Sequence, residues 1–268
     1  MHPRLASLPM YLAKRPAVTA LWDLLRQSLA DAGLQRMPEA LTWPDDYHAH
    51  WLKPDLLISQ TCGYPFTDDL AGKVQLLGAF AYDAPHCKGI ECRSVLVARA
   101  EHGHLGVEGF RGLRAAFNAP NSQSGYNAFR ALVAPLAANG QFFASALETG
   151  SHGASVAAVR EGRADLAAID CVTYATLTRY TPQATQGLCI IATTEAYPGL
   201  PLVTAKGTSA AEITLLQTTL RALLTSAEAA PILQALNIVG FEVPEPSVYQ
   251  RCVDMRESAQ ALGYPLLA

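Results

Sequence analysis

The segment Arg114-Ala115-Ala116-Phe117, followed closely by Asn121-Ser122-Gln123-Ser124-Gly125-Tyr126, carries a short apolar run into a hydroxyl-rich turn. A helical pattern over about 126–138 comes next. Strand, turn and helix in that order form the repeating unit of α/β chains. The same grammar occurs twice more. Residues 55–60 form an apolar run into Gln60-Thr61-Cys62-Gly63-Tyr64, and a short strand-like stretch at 142–144 precedes Thr149-Gly150-Ser151-His152-Gly153. Each turn opens a helix-like stretch, so backbone N–H groups and hydroxyl donors would face whatever lies in front of it. That is the chemistry of an anion cradle. In the middle turn, Ser122 and Ser124 offer two hydroxyls, and Gly125 lets the backbone approach a ligand closely. Ser and Thr also cap helices as their commonest task, so a single such turn reads as capping, whereas three in one chain argue for binding.

Working outward, strands are expected at 5–10, 40–43, 55–60, 74–80, 94–98, 114–117, 142–144, 164–170 and 188–193. Val18, Leu21, Leu24, Leu25 and Leu29 recur at helical spacing within 17–32, a helix closed by Gly33. Further helices are expected at 154–161, 210–224 and 246–262. The alternation of strand and helix predicts parallel α/β sheets. It restarts after Arg99, which divides the chain into a first lobe (1–97), a second lobe (98–193), and a return to the first lobe with C-terminal helices (194–268). The crossings fall near 94–99 and 193–203.

With 268 residues, half of them apolar, and a net charge of −3, the chain has room for a full core in one large domain or two lobes. Its 20 Lys and Arg are scattered and nearly balanced by 23 acids, so no basic stripe exists to neutralise a nucleic-acid backbone. No apolar run of about 18 residues supports a membrane-spanning helix. The first residues contain no long apolar segment of the export type, which leaves two locations open: the periplasm if a signal was removed, the cytoplasm otherwise.

Six cysteines are too sparse for a disulfide-stapled scaffold, although Cys87 and Cys92 flank Gly89 closely enough to bridge across a turn. No CxxC pair or His-x-x-x-His spacing marks a zinc motif, and neither a metal nor a cofactor is expected. His48, His50, His86, His102 and His104 sit among polar residues and are expected to face solvent, while Trp43, Tyr47 and Trp51 read as packing or rim aromatics. Cys62, at a predicted helix N-terminus, could serve as a nucleophile with His152 across from it. No third residue orienting that histidine is identifiable, so no catalytic residue is assigned.

Six segments in order carry a family likeness: Ala6-Ser7-Leu8-Pro9-Met10-Tyr11, Ser59-Gln60-Thr61-Cys62-Gly63, Arg93-Ser94-Val95-Leu96-Val97, Ser122-Gln123-Ser124-Gly125-Tyr126, Thr149-Gly150-Ser151-His152 and residues 164–170. The set resembles the phosphate, phosphite and phosphonate substrate-binding proteins of ABC transporters. The resemblance implies a type 2 periplasmic-binding-protein fold, with two α/β lobes joined by two crossing hinge strands and a small anionic ligand clamped between them. It implies that Ser122, Gln123 and Ser124, with Gly125 and Tyr126, grip an oxyanion from a helix N-terminus, and that Ser151 and His152 reach the same anion. Ser94 of the crossing strand joins them. Tyr11 and the Thr61-Cys62-Gly63-Tyr64 turn would close the opposite side. Asp170 has two readings: a carboxylate for the amine of an aminoalkyl phosphonate, or the cap of the helix that starts near Val172. This chain has Cys92 where the family often has an aromatic residue, and Gln123 where a small hydroxyl is usual. The implied partners are a small anion, phosphonate or phosphate first, and a transporter permease. A cytosolic dehydratase or lyase on the same fold, acting on a small organic anion, is the alternative.

Overall fold

The computed structural model of the chain describes residues 4–8, 10 and 15–268. In chain order the elements begin with β1 (Leu5–Ser7), α1 (Arg15–Asp31), α2 (Tyr47–Trp51), β2 (Leu56–Gln60), α3 (Gly63–Thr67), β3 (Val74–Tyr82), β4 (Glu91–Cys92) and β5 (Ser94–Arg99). There follow β6 (Arg114–Phe117), α4 (Ala128–Val133), β7 (Ser145–Glu148), α5 (His152–Arg160), β8 (Leu166–Asp170), α6 (Cys171–Tyr180), α7 (Pro182–Thr185) and β9 (Leu188–Thr193). The chain closes with β10 (Tyr197–Pro198), β11 (Pro201–Ala205), α8 (Ala210–Leu224), α9 (Ala230–Leu236), β12 (Ile238–Glu242) and α10 (Gln250–Ala261). No helix among the described residues is long and apolar enough to cross a membrane.

The chain folds as two compact units. The first comprises the residues up to Asp83 with Lys88–Ile90 and Gly199–Val248; the second comprises Ala84–Cys87, Glu91–Pro198 and Tyr249–Ala268. The tail expected to return as 194–268 is therefore divided, and its last helix joins the second unit. The reason is local: Gln123 Nε2 donates to Met255 Sδ, and Asn127 Nδ2 donates to the carbonyl of Cys252, so α10 is bonded to the turn ahead of α4.

In the first unit the sheet order is β1-β2-β11-β3-β12. Only β1 and β2 pair in parallel; β11 runs antiparallel to both β2 and β3, and β12 antiparallel to β3. The expectation of a purely parallel sheet is thus corrected. Strands β11 and β12 arrive from the returning chain, not from a β-α-β crossover, and nothing forces such strands to be parallel. The heptad-like spacing in α1 buries Val18, Leu21, Trp22, Leu25 and Leu29 on one face, which packs against α8 and α9. Burying each large apolar side chain of this kind contributes about 1.5–3 kcal/mol.

Two local expectations also change here. Residues 40–43 form no strand, although the Thr42 N–H bonds the Ala6 carbonyl. His50 does not face solvent: it is buried, its Nε2 lies 2.8 Å from Ser7 Oγ, and Ser7 Oγ is 2.7 Å from Ser59 Oγ. Trp51 Nε1 donates to the same Ser59 hydroxyl, so a closed polar network ties α2 to β1 and β2. Burial lowers the His50 pKa and keeps the ring neutral.

The second unit has the order β7-β6-β8-β5-β9. Here β7, β6 and β8 are parallel neighbours, while β5 pairs antiparallel with both β8 and β9. The strand expected at 142–144 lies three residues later, as β7. Phe142 and Phe143 are instead fully buried aromatic core residues whose N–H groups both reach the Ala268 carbonyl.

At the edge where β6 and β8 begin, Asp165 pairs with two arginines. Its carboxylate accepts from Arg114 Nε at 2.9 Å, Arg114 Nη2 at 2.9 Å, Arg99 Nη2 at 3.0 Å and the Arg114 N–H at 3.1 Å. Burial acts to raise its pKa, but the hydrogen bonds from Arg114 and Arg99 outweigh it and hold the carboxyl at about 2, against an ordinary 3.8. A carboxylate depressed in this way stabilises the fold above pH 3.8 and loses that contribution as pH falls through 2. Replacing Asp165 by Asn should lower unfolding stability by about 1–3 kcal/mol at pH 7. Denaturant unfolding should show the gap between the two proteins shrinking as the pH is taken from 4 to 2, and a gap independent of pH would refute this role.

Candidate functional site

Because β7, β6 and β8 are parallel, their C-terminal ends share one edge, and each leads into a helix start there. After β6 the chain enters a wide π-type turn, Gln123–Asn127, that continues directly into α4. After β7 it enters α5, and after β8 it enters α6. Strand β5 contributes to the same edge from the other direction, since Ser94 stands opposite Asp170 in the antiparallel register.

Each helix start has its own cap. Ser122 Oγ accepts from the Gly125 N–H at 3.1 Å, Ser151 Oγ from the Ala154 N–H at 3.1 Å, and an Asp170 carboxylate oxygen from the Thr173 N–H at 2.9 Å. Asp170 thus takes the capping role. The residues just inside the caps meet one another. Ser124 Oγ lies 2.8 Å from His152 Nε2, which joins the first turn of the π segment to the first residue of α5. Ser94 Oγ donates to the Ser124 carbonyl at 2.8 Å and lies 2.7 Å from Tyr197 Oη. The Ser94 N–H is held by Thr194 Oγ1 at 2.9 Å. Burial pushes the Tyr197 phenol far above its ordinary pKa, so it stays a neutral donor.

The structure therefore brings Ser94, Ser124 and His152 into one chain of hydrogen bonds. Ser122 and Ser151 stand beside them as caps. Gln123 turns its side chain to Met255 and Asn127, and Tyr126 packs its ring on Phe117 while its hydroxyl accepts from the Leu267 N–H. Gly125 is required for a reason the sequence did not reveal. A Cβ there would fall on Asn118 Oδ1 and lie 3.0 Å from His152 Cε1, so the absent side chain makes room for two neighbouring side chains.

Asn118, immediately after β6, is the residue that sequence reasoning missed. Its Oδ1 is buried and has no hydrogen-bond partner. A buried polar atom without a partner costs about 1–3 kcal/mol, and this one lies against Gly125 and His152. Only the position of Asn118 one residue beyond a strand end hinted at this. Tyr197 and Thr194 were also missed, because the β9–β10 segment returns to this edge from far along the chain.

In the first unit, the Thr61-Cys62-Gly63-Tyr64 turn follows β2 as expected. Cys62 is the half-buried N-cap of α3, Gly63 is buried and Tyr64 is half-buried. Thr61 is fully buried, its N–H bonds the Pro201 carbonyl, and its Oγ1 has no partner. Tyr11 lies outside the described residues.

Adjoining the edge of the second unit is a group of three thiols. Cys87 Sγ is 3.3 Å from Cys171 Sγ and 3.6 Å from Cys92 Sγ, so Cys87 and Cys92 do meet but as free cysteines. Hydrogen bonds from Cys171 and Cys92 pull the Cys87 thiol down to about 5, while its hydrogen bond to Cys87 pushes Cys171 up to about 11.

His152 carries a measurable signature. Burial lowers its pKa to about 4 from an ordinary 6.5, opposed by the Ala168 main chain. The unfolded chain therefore binds more protons between these values, and stability falls as the pH drops from 6.5 toward 4. A full shift of this size corresponds to about 3 kcal/mol. His152→Gln, which cannot titrate, should flatten the stability profile across that window in denaturant unfolding. An unchanged slope would show that His152 is not the buried neutral group described.

Known proteins share this fold. In structure the chain is similar to PhnD1 from Prochlorococcus marinus in complex with methylphosphonate, with a TM-score of 0.77 and 16% identity over 96% of this chain and 98% of that one. A binding protein component of an ABC phosphonate transporter from Pseudomonas aeruginosa gives 0.74 and 17% identity over 98% and 88%. A Xanthomonas citri protein bound to ATP gives 0.72 and 16% over 96% of each chain. These likenesses establish the two-lobed periplasmic-binding-protein fold. No curated protein is significantly similar in sequence. The family model described as "ABC transporter, phosphonate, periplasmic substrate-binding protein" matches residues 54–249, well over half of the chain and inclusive of every turn described above. With its three parallel strands ending in capped helices, the chain belongs to the phosphonate-type periplasmic substrate-binding proteins of ABC transporters.

Proposed function

We propose that the protein binds a small oxyanion, phosphonate first and phosphate next, at the Ser124–His152 edge of the second unit. On this reading it acts as the substrate-binding component of an importer, delivering the anion to a permease from the periplasm. The observation that carries the reading is the 2.8 Å contact between Ser124 Oγ and His152 Nε2 at two adjacent helix starts. Helix N-termini and hydroxyls bind an oxyanion with neutral donors, so a protonated histidine is not needed. With its pKa lowered to about 4, His152 is neutral at pH 7 and offers one ring N–H.

In the tautomer protonated at Nε2, the ring donates to Ser124 Oγ and leaves the serine proton free for the ligand. The buried Asn118 Oδ1 adds an acceptor beside those donors. Donors with one acceptor match an oxyanion that still carries a proton, such as the monoanion of a phosphonate or phosphate. The methylphosphonate bound by PhnD1 belongs to that chemical class.

A thermal-shift screen with methylphosphonate, phosphite, phosphate, sulfate and ATP tests the reading. A ligand present at 100 times its dissociation constant should add about 2.7 kcal/mol of stability. With the best ligand, Ser124→Ala should weaken binding in calorimetry by about 1.5–3 kcal/mol, the scale of a hydrogen bond to a charged group. Gly125→Ala should weaken it as well, because the new methyl displaces Asn118. The ligand should be recovered unchanged by phosphorus NMR. Affinity that is the same in Ser124→Ala, or turnover of the ligand, would reject this assignment.

A further inference from the structure

We propose that Cys87, Cys92 and Cys171 form a three-thiolate site for a thiophilic divalent cation, zinc above all, with one coordination position left to water. The three residues come from separate elements of the second unit: the 84–87 segment, β4, and the first residue of α6. Cys87 and Cys171 are 84 positions apart in sequence, which is why no short zinc spacing announces the group. All three sulfurs lie within 4.8 Å of one another, and no fourth His, Cys, Asp or Glu joins them among the described residues.

The geometry favours a tetrahedral ion. Zinc–sulfur bonds of about 2.3 Å place the sulfurs of a tetrahedral site about 3.8 Å apart, whereas a planar three-sulfur site needs about 4.0 Å. The observed separations of 3.3 and 3.6 Å are nearer to the tetrahedral value, and small rotations of the side chains would reach it. Charge points the same way. The Asp170 carboxylate acts on both Cys87 and Cys92, so a divalent ion offsets more of the local negative charge than a monovalent one. On binding, the S–H bonds of the protonated thiols break, their protons pass to solvent, and metal–sulfur bonds form with no change of oxidation state. Cys92 and Cys171 are buried and Cys87 is half-buried, so water can complete the fourth position from the Cys87 side.

The test is independent of the anion ligand. Metal-free, fully reduced protein is titrated anaerobically with zinc against a chromophoric chelator. The expected result is one zinc per chain, lost in Cys87→Ser, Cys92→Ser and Cys171→Ser and retained in Cys189→Ser. Because the buried variants can fail to fold, native wild-type protein is also alkylated with and without zinc and mapped by mass spectrometry. Zinc should protect Cys87 while Cys62 and Cys189 stay reactive. Stoichiometric zinc in Cys87→Ser, alkylation of Cys87 unaffected by zinc, or uptake of copper(I) but not zinc would each overturn the proposal. So would a reduced protein that binds no metal and forms a Cys87–Cys171 disulfide on exposure to air.

Discussion

The parallel pairing of β6 with β7 on one side and β8 on the other is the constraint from which the second unit's chemistry follows. Parallel neighbours must end at the same edge, so the three turns that follow them are brought together whatever their sequence separation. Strand β5 runs the other way and enters the sheet at that edge, which sets Ser94 opposite Asp170 and within reach of the Ser124 carbonyl. Side chains alternate faces along a strand, so a slip of one residue between β5 and β8 would turn Ser94 away from Ser124. At the far edge the Asp165 network joins the end of β5 to the starts of β6 and β8 and holds that register. One edge is fastened by charges, and the other is left with neutral donors.

Much of this edge was legible in the sequence, because a strand that runs into Ser-x-Ser-Gly or Gly-Ser-His declares both its end and its polarity. The division of labour inside each turn was not legible. Ser122, Ser151 and Asp170 spend their oxygens on capping, and the residues one or two places further on, Ser124, His152 and Cys171, present the reactive atoms. Sequence gives no direction for a side chain at a helix start, so caps and site residues looked alike. Gly125 was read as letting the backbone approach a ligand, whereas the space beside it is filled by Asn118 and His152.

Sheet direction was harder still. Local periodicity marks a strand but does not say which strand lies beside it, and β11 inserts between β2 and β3 only because the chain returns after a long excursion. The histidine within His48-Ala49-His50-Trp51 was misjudged for a related reason. The residues before it, Tyr47, His48 and Ala49, are half-buried or exposed, yet its partners in space, Ser7 and Ser59, lie on two strands remote from it in the chain. The thiol cluster belongs to the same class of feature, assembled across 84 positions that no local pattern spans.

The last helix has a bearing on how the molecule is made. Helix α10 is bonded to the π turn through Gln123 and Asn127 and to α4 through Arg130, partners that lie 125 to 132 positions earlier in the chain. During synthesis that turn would leave the ribosome long before α10 does, with buried amides and an arginine still lacking their partners. Closing so long a loop is slow, and a domain dominated by such distant contacts is exposed to wrong pairings while it waits. The second unit would therefore acquire its final packing only once α10 has been synthesised. A chain kept unfolded until α10 has emerged meets that requirement without passing through a half-built π turn.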